Sequence, residues 1–253
     1  MPGLSDERRF RSVRPRPIRS NNSVRRTYDL LRPQLPALGP DALLSERDLV
    51  NTFSASRGTV RHVLQLLAEE GVVTRGPKVG TTVHASTVIP VSELTPLDQW
   101  GSRGPVTGRL LESKVIPAFP AVRHRLQLPE ESSVAMIEWL LIDDNTPLAL
   151  FVSYLALSPE QASLLGKEGL SVIDFLEKYL GVSVVKSDTI FCAVASDRQT
   201  AALLGTRQGG PILLIEDLLR DGGDRPWAIC QIRCRSDRVL FSAKARRRRP
   251  RSA

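Results

Sequence analysis

With 253 residues, 42% of them hydrophobic, the chain is long enough to bury two cores, one small and one medium, while 3 cysteines (Cys192, Cys230 and Cys234) are too few and too odd in number for a disulfide scaffold. No apolar run approaches the roughly 18 residues of a membrane span, and the Arg-rich N-terminus lacks the apolar stretch of a secretory signal, so the expected compartment is the cytoplasm and no membrane partner is expected. The net charge of +8 divides unevenly: residues 1–89 hold 14 Lys/Arg against 8 Asp/Glu, residues 90–242 hold 15 against 19, and residues 243–253 hold 6 against none, which places polyanion binding at the front of the chain.

Residues 1–22 read as a basic disordered arm, with Arg8, Arg9, Arg11, Arg14, Arg16 and Arg19 broken by Pro15 and Pro17 and too little apolar content to fold alone. Val24, Tyr28, Leu31 and Leu35 then recur at helical spacing and predict a first helix. Ser45 followed by Asp48 reads as a capping box opening a second helix, with Leu49, Val50 and Phe53 on one face. Ser54 and Ala55 form a tight turn, and a third helix from Ser56 buries Val60, Val63, Leu64 and Leu67 until Gly71 stops it. Its exposed face carries Arg57, Thr59 and Arg61, donors at the end of a helix that can meet base edges and phosphates. Strands at 72–75 and 81–84 flank the loop 76–80, a hairpin whose Lys78 and Gly80 suit close approach to a sugar-phosphate backbone. Residues 23–86 therefore read as one winged helix-turn-helix DNA-binding domain.

Residues 87–109, punctuated by Pro90, Pro96 and Pro105 around Trp100, read as a linker. From there to residue 242, strands at Glu112–Ile116, Val134–Ile142, Leu148–Leu155, Val184–Ala195, Ile212–Arg220 and Pro226–Arg235 alternate with helices at Pro120–Leu126, Pro159–Leu165, the Val172/Phe175/Leu176/Tyr179 stretch and Asp197–Leu204. That succession predicts an α+β domain on an antiparallel sheet. Residues 243–253 form a basic tail.

The set Leu44-Ser45-Glu46-Arg47-Asp48-Leu49, Ser56-Arg57-Gly58-Thr59-Val60-Arg61 and Gly80-Thr81 resembles the DNA-binding domain of the GntR-type bacterial transcription regulators over about a quarter of the chain. The resemblance implies DNA contacts from Arg47, Arg57, Thr59 and Arg61 and, on the wing, from Gly80 and Thr81. Gly58 departs from the more usual Thr and costs roughly 0.5–1 kcal/mol of helix propensity. Further on, Glu112-Ser113-Lys114-Val115-Ile116-Pro117, Asp144-Asn145-Thr146-Pro147-Leu148-Ala149, Ser153-Tyr154-Leu155 and Ala201-Ala202-Leu203-Leu204-Gly205 resemble, in order, the UTRA effector-binding domain of the HutC subfamily. This implies a chorismate-lyase-like fold that senses small molecules and dimerises, spanning 110–242. Members that bind phosphosugars or acidic ligands place arginines on the strand corresponding to Val134–Ile142, which here has none. Phe151 and Ala228 stand where Glu is common.

The implied function is a sequence-specific regulator, a homodimeric repressor on double-stranded DNA with an imperfect palindrome, released by an effector that is apolar or uncharged, since a buried phosphate without a guanidinium partner would forfeit charge-assisted bonds. Pocket candidates are Glu138, Phe151, Ser153, Tyr154 and Arg233; the alternative is that the aromatic ones are ordinary core and the domain only dimerises. An architectural DNA-binding protein, or a lyase-like enzyme, are the competing classes. His62, His84 and His124 are scattered over separate elements, so neither a metal site nor a nucleophile–base pair assembles from spacing and no catalytic residue, metal or cofactor is expected. Cys230 and Cys234, four apart on one strand, read as thiols sharing a buried face. Deleting the basic tail is expected to flatten the salt dependence of DNA binding while leaving sequence preference unchanged, measurable by titrations at several salt concentrations.

Overall fold

The computed structural model describes residues 23–76, 80–91, 100–102, 105–165 and 171–244; the basic arm, Lys78 and most of the basic tail lie outside them. The N-terminal unit opens with α1 (Ser23–Leu31), a 3-10 turn (Arg32–Gln34) and a single turn α2 (Leu35–Leu38). The single helix expected through Leu35 is broken because Pro33 and Pro36 lack the N–H that an uninterrupted α-helical ladder needs. A two-residue strand, β1 (Leu43–Leu44), precedes α3 (Glu46–Phe53). Ser45 caps α3 by accepting from the Asp48 N–H at 3.2 Å. Ser54, at φ 48°, turns the chain into α4 (Arg57–Glu70), capped in turn by Ser56, which accepts from the Thr59 N–H. Gly71, at φ +84°, ends α4 in the left-handed region that a glycine adopts without strain.

The wing is β2 (Val73–Gly76) and β3 (Gly80–Val83), antiparallel, with Gly76 opposite Gly80. The sequence pattern missed β1, which pairs with β3 as a third strand. Val60, Val63, Leu64 and Leu67 of α4, at 1% exposure or less, pack with Leu31, Leu35, Leu49 and the wing's Val73 and Val83.

The segment expected as a linker holds β4 (Thr87–Pro90), and the next strand already begins at Thr107. β5 (Thr107–Pro117), α5 (Pro120–Arg125), β6 (Ser133–Asp143), β7 (Thr146–Leu155), α6 (Pro159–Ala162), α7 (Val172–Leu180), β8 (Val184–Ala195), α8 (Arg198–Leu204), β9 (Pro211–Asp221) and β10 (Pro226–Arg235) follow. The six long strands form one antiparallel sheet in the order β5-β6-β7-β10-β9-β8. Asp144 and Asn145, both at positive φ, make the tight turn between β6 and β7. Alternation along the strands divides the sheet into two faces. One packs Ala135, Ile137, Leu155 and Ala228 against α6 and α7. The other packs Val134, Leu218 and Ile229 beneath the α5 region, and Leu140, Leu150 and Ile212 beneath α8.

A final strand, β11 (Val239–Ser242), lies beyond the last expected element and pairs in parallel with β4, Val239 opposite Thr87 and Phe241 opposite Ile89. The two units also touch directly. Arg32 bonds Glu70 at 2.6 Å and donates through Nη2 to the Ser236 carbonyl at 2.9 Å, while Arg238 donates to the Ala85 carbonyl at 3.0 Å. Asp237, 8% exposed, is held by Arg235 and Arg238 and lies so close to Gly71 that a Cβ there would meet its Oδ2 at 3.4 Å.

Because Leu64 is fully buried among helices and wing, Leu64→Ala is expected to destabilise the N-terminal unit by about 2–5 kcal/mol through lost contacts and a residual cavity. Urea unfolding monitored by far-UV circular dichroism checks this.

Candidate nucleic-acid interface and ligand cavity

The exposed ends of α3 and α4 and the wing present Arg47, Arg57 and Arg61 to solvent. Arg61 leans on Glu46 at 2.9 Å, and Arg75 of β2 reaches the same carboxylate at 3.4 Å and Gln65 at a similar distance. These pairs are solvent-exposed and worth no more than about 1 kcal/mol each, so they cost little to exchange for another acceptor. Arg75, a member of the wing strand in the sequence, is brought beside α4 only by the fold. Thr59 is half-buried; its hydroxyl lies 3.0 Å from that of Ser56 and 3.3 Å from that of Ser23. Gly80 is exposed at φ +94°, a left-handed conformation that glycine adopts without strain, whereas Thr81 is only 4% exposed. Thr81, expected to contact DNA, lies in the same strand phase as the buried Val83, so its side chain faces the core side of the small sheet.

On the α7 side of the sheet a cavity of about 100 Å³, open in part to solvent, is walled by β4, β11, the start of α7 and the strands β7 to β10. Its walls carry Trp100, Phe151, Phe191 and Phe241; the Trp100 ring meets Phe151 and Phe241 edge-on, each at 5.7 Å between centroids, and Phe191 lies 5.3 Å from Phe241. Asp217 supplies a carboxylate, with the Ser187 hydroxyl donating at 2.9 Å and the Thr189 hydroxyl also donating, both to Oδ1.

Of the five expected pocket residues, the structure brings Phe151 alone to this cavity's lining. Ser153 shares its face but is 1% exposed and hydrogen-bonded to the sulfur of Cys230, which is itself part of the cavity wall. Glu138 and Arg233 are corrected to the opposite face, in the same strand phase as Leu140 and Ile229. There burial raises the Glu138 carboxyl, the Glu112 charge adds to this, and Arg233 and Lys114 oppose it. Tyr154 also belongs to that face, its ring against Phe119. Sequence reasoning missed Asp217 and Phe241; the unexpected β11 brings Phe241 onto the cavity.

Burial pushes the Cys230 thiol up to about 12 and raises that of Cys234 as well, Asp217 contributing to both, so these two are inert core sulfurs on one face. Among the described residues no group of three or more His, Cys, Asp or Glu is placed to hold a metal ion.

A winged helix-turn-helix that presents arginines, joined to a sheet domain with an aromatic-lined cavity, defines the class of DNA-binding transcription regulators. Residues 102–239 match the UTRA domain and residues 24–83 match the family of bacterial regulatory proteins named for gntR. The chain belongs to the GntR family of transcription regulators and carries the UTRA effector-binding domain; it is a regulator and not an enzyme. It is 26% identical over 210 residues to a probable fructoselysine utilization operon transcriptional repressor of Escherichia coli O157:H7, covering 80% of this chain and 85% of that protein. It is 28% identical over 191 residues to the HTH-type transcriptional repressor NagR of Bacillus subtilis (strain 168), covering 74% and 75% of the two chains. Among solved structures, PhnF from Mycobacterium smegmatis superposes with a TM-score of 0.63 at 21% identity, covering 88% of this chain and all of that one, a likeness of fold.

With Cys192 exposed and the other two thiols buried, a thiol titration of the native protein at pH 8 is expected to give one fast-reacting cysteine per chain and three in denaturant. A second fast thiol in the native protein would contradict the burial of Cys230 and Cys234.

Proposed function

We propose that the protein is a homodimeric, sequence-specific transcriptional repressor that binds an imperfect palindrome and is released when a small molecule fills the cavity on the α7 face of its sheet. The protein acts in the cytoplasm, where operator DNA lies; among the described residues no helix is long and apolar enough to cross a membrane. The observation that carries this reading is the path of one strand. β3 of the wing ends at Val83, β4 starts at Thr87, and Ile89, Pro90 and Val91 are themselves cavity wall. A ligand that shifts this wall pulls on the wing through only three intervening residues.

In this reading α4 enters the major groove with Arg57 and Arg61 toward base edges, Arg47 and Lys78 hold phosphates, and the Gly80 backbone allows the wing to approach closely. Thr59 contributes its methyl or hydroxyl at the same helix end, and Thr81 acts through the backbone of its strand. A dimer places two such helices about one helical turn of DNA apart, which is why a two-fold symmetric site is expected. The ligand acts by differential affinity for two arrangements of the paired DNA-binding units, a coupling typically about 1–3 kcal/mol. The predominantly apolar cavity wall and the lack of arginine on β6 support an effector with an apolar body rather than a phosphosugar.

Selection of bound duplexes from a random library near physiological salt is expected to yield a two-fold symmetric motif; recovery of unselected sequence would overturn the proposal. On that motif, Arg61→Ala is expected to weaken binding by about 1–3 kcal/mol and relax preference at one position of each half-site, as loss of a guanine contact does. Uniform weakening on all sequences would reassign Arg61 to a phosphate.

A further inference from the structure

The cavity on the α7 face is more particular than an apolar effector requires. Four aromatic rings, Trp100, Phe151, Phe191 and Phe241, line it together with one carboxylate, Asp217, and no Lys, Arg or His is among its described lining residues. Asp217 receives the Ser187 and Thr189 hydroxyls on the same oxygen, so Oδ2 has no hydrogen-bond partner among the described residues. A carboxylate beside aromatic walls, with one oxygen uncommitted, is costly to desolvate unless a cation arrives with the ligand. Where a ring of the wall turns its face to the ligand it adds an attraction of the same sign, because the negative face of an aromatic quadrupole draws a cation lying over it.

Anions meet the opposite situation. The start of α7 brings Ser171, Val172 and Ile173 to the wall, but the Ser171 side chain already accepts from the Asp174 N–H at 3.1 Å. A helix end offers only about half a positive charge, set against the full negative charge of Asp217. A phosphate or carboxylate ligand would have no guanidinium or ammonium to pair with among the described lining residues.

We infer that this cavity takes an organic cation, a protonated amine on an aromatic or branched aliphatic body, with the ammonium at Asp217 and the body against Trp100, Phe151 and Phe241. The inference rests on the reading of this cavity as the effector site and narrows it from an apolar or uncharged ligand to a cationic one.

The test uses the full chain and three probes that share one body, 4-phenylbutylammonium, 4-phenylbutanol and 4-phenylbutyrate, titrated by calorimetry near neutral pH. The amine is expected to bind at least tenfold more tightly than the alcohol, and the carboxylate no more tightly than the alcohol. Asp217→Asn keeps an acceptor for Ser187 and Thr189; in it the amine's advantage over the alcohol is expected to shrink to threefold or less. An unchanged far-UV circular dichroism melt shows that the variant is folded, and Asp217→Glu is expected to restore part of the amine's advantage. Equal binding of amine and alcohol, or an amine advantage that survives Asp217→Asn, overturns the cationic head and leaves an apolar effector cavity standing. Tightest binding by the carboxylate overturns it in favour of an anion site at α7, and binding by none of the three overturns both the cation and the cavity as an effector site. An amine that binds through Asp217 yet leaves the operator complex intact supports the cation site and refutes release as its consequence.

Discussion

The parallel pairing of β4 with β11 is the constraint on which the rest of the molecule depends. Two strands of four residues have few hydrogen bonds of their own and are not stable in isolation. They persist because Ile89 and Val239, both 4% exposed or less, pack with Trp100, Phe151 and Ile232 on the large sheet. The same packing closes one side of the cavity. Strand, cavity wall and tether to the wing are one piece of backbone, which is the connection through which the proposed effector would act on the DNA-binding unit.

A single tether would transmit little if the two units could swing freely. The turn between β10 and β11 prevents this, since Arg32 ties Glu70 at the end of α4 to the Ser236 carbonyl. Tyr28 donates to the same Glu70, and its hydroxyl is raised to about 12, chiefly by burial and then by the carboxylate. Behind it, Asp237 packs against Gly71 between two arginines, where any bulk at that glycine would also strain a positive φ. The fixed end of α4 is thus its C-terminus, and its N-terminal part carries Arg57 and Arg61, the arginines proposed to meet DNA. A helix held at one end moves its far end by rotation, which makes it a suitable lever for two discrete arrangements.

Much of this was legible in the sequence because local chemistry and global packing agree. Ser45, Ser56 and Gly71 cap α3 and α4 where the pattern put them, and the apolar stripe of α4 is the stripe that is buried. The comparison failed where the answer depends on long-range pairing. β1 and β11 are too short to show periodicity and exist only because β3 and β4 lie alongside. Strand alternation groups residues into two faces without saying which face acquires a cavity. Ser153 pairs with Cys230 and Val152 with Glu138, so a set that combined Phe151 and Ser153 with Tyr154, Glu138 and Arg233 mixed both faces of one sheet. Asp217 carried no motif; the four aromatic rings that line the cavity with it come from four separate segments.

The charge division along the chain decides what kind of signal can pass between the units. The acidic middle and basic front invite the idea that a cation bound in the sheet domain acts on DNA by altering the field. Distance argues against it. α4 has 14 residues, which at 1.5 Å each separates Arg57 from Glu70 by about 21 Å, against a screening length of about 8 Å at physiological salt, so a charge that far from Arg57 is largely screened there. A cationic ligand would also make the protein more positive and so favour DNA binding, the wrong sign for release. In the proposed mechanism, coupling between the cavity and the operator therefore runs through shape, by displacement of β4 and tilt of α4 about its clasp, and the proposed role of Asp217 is confined to selecting the ligand.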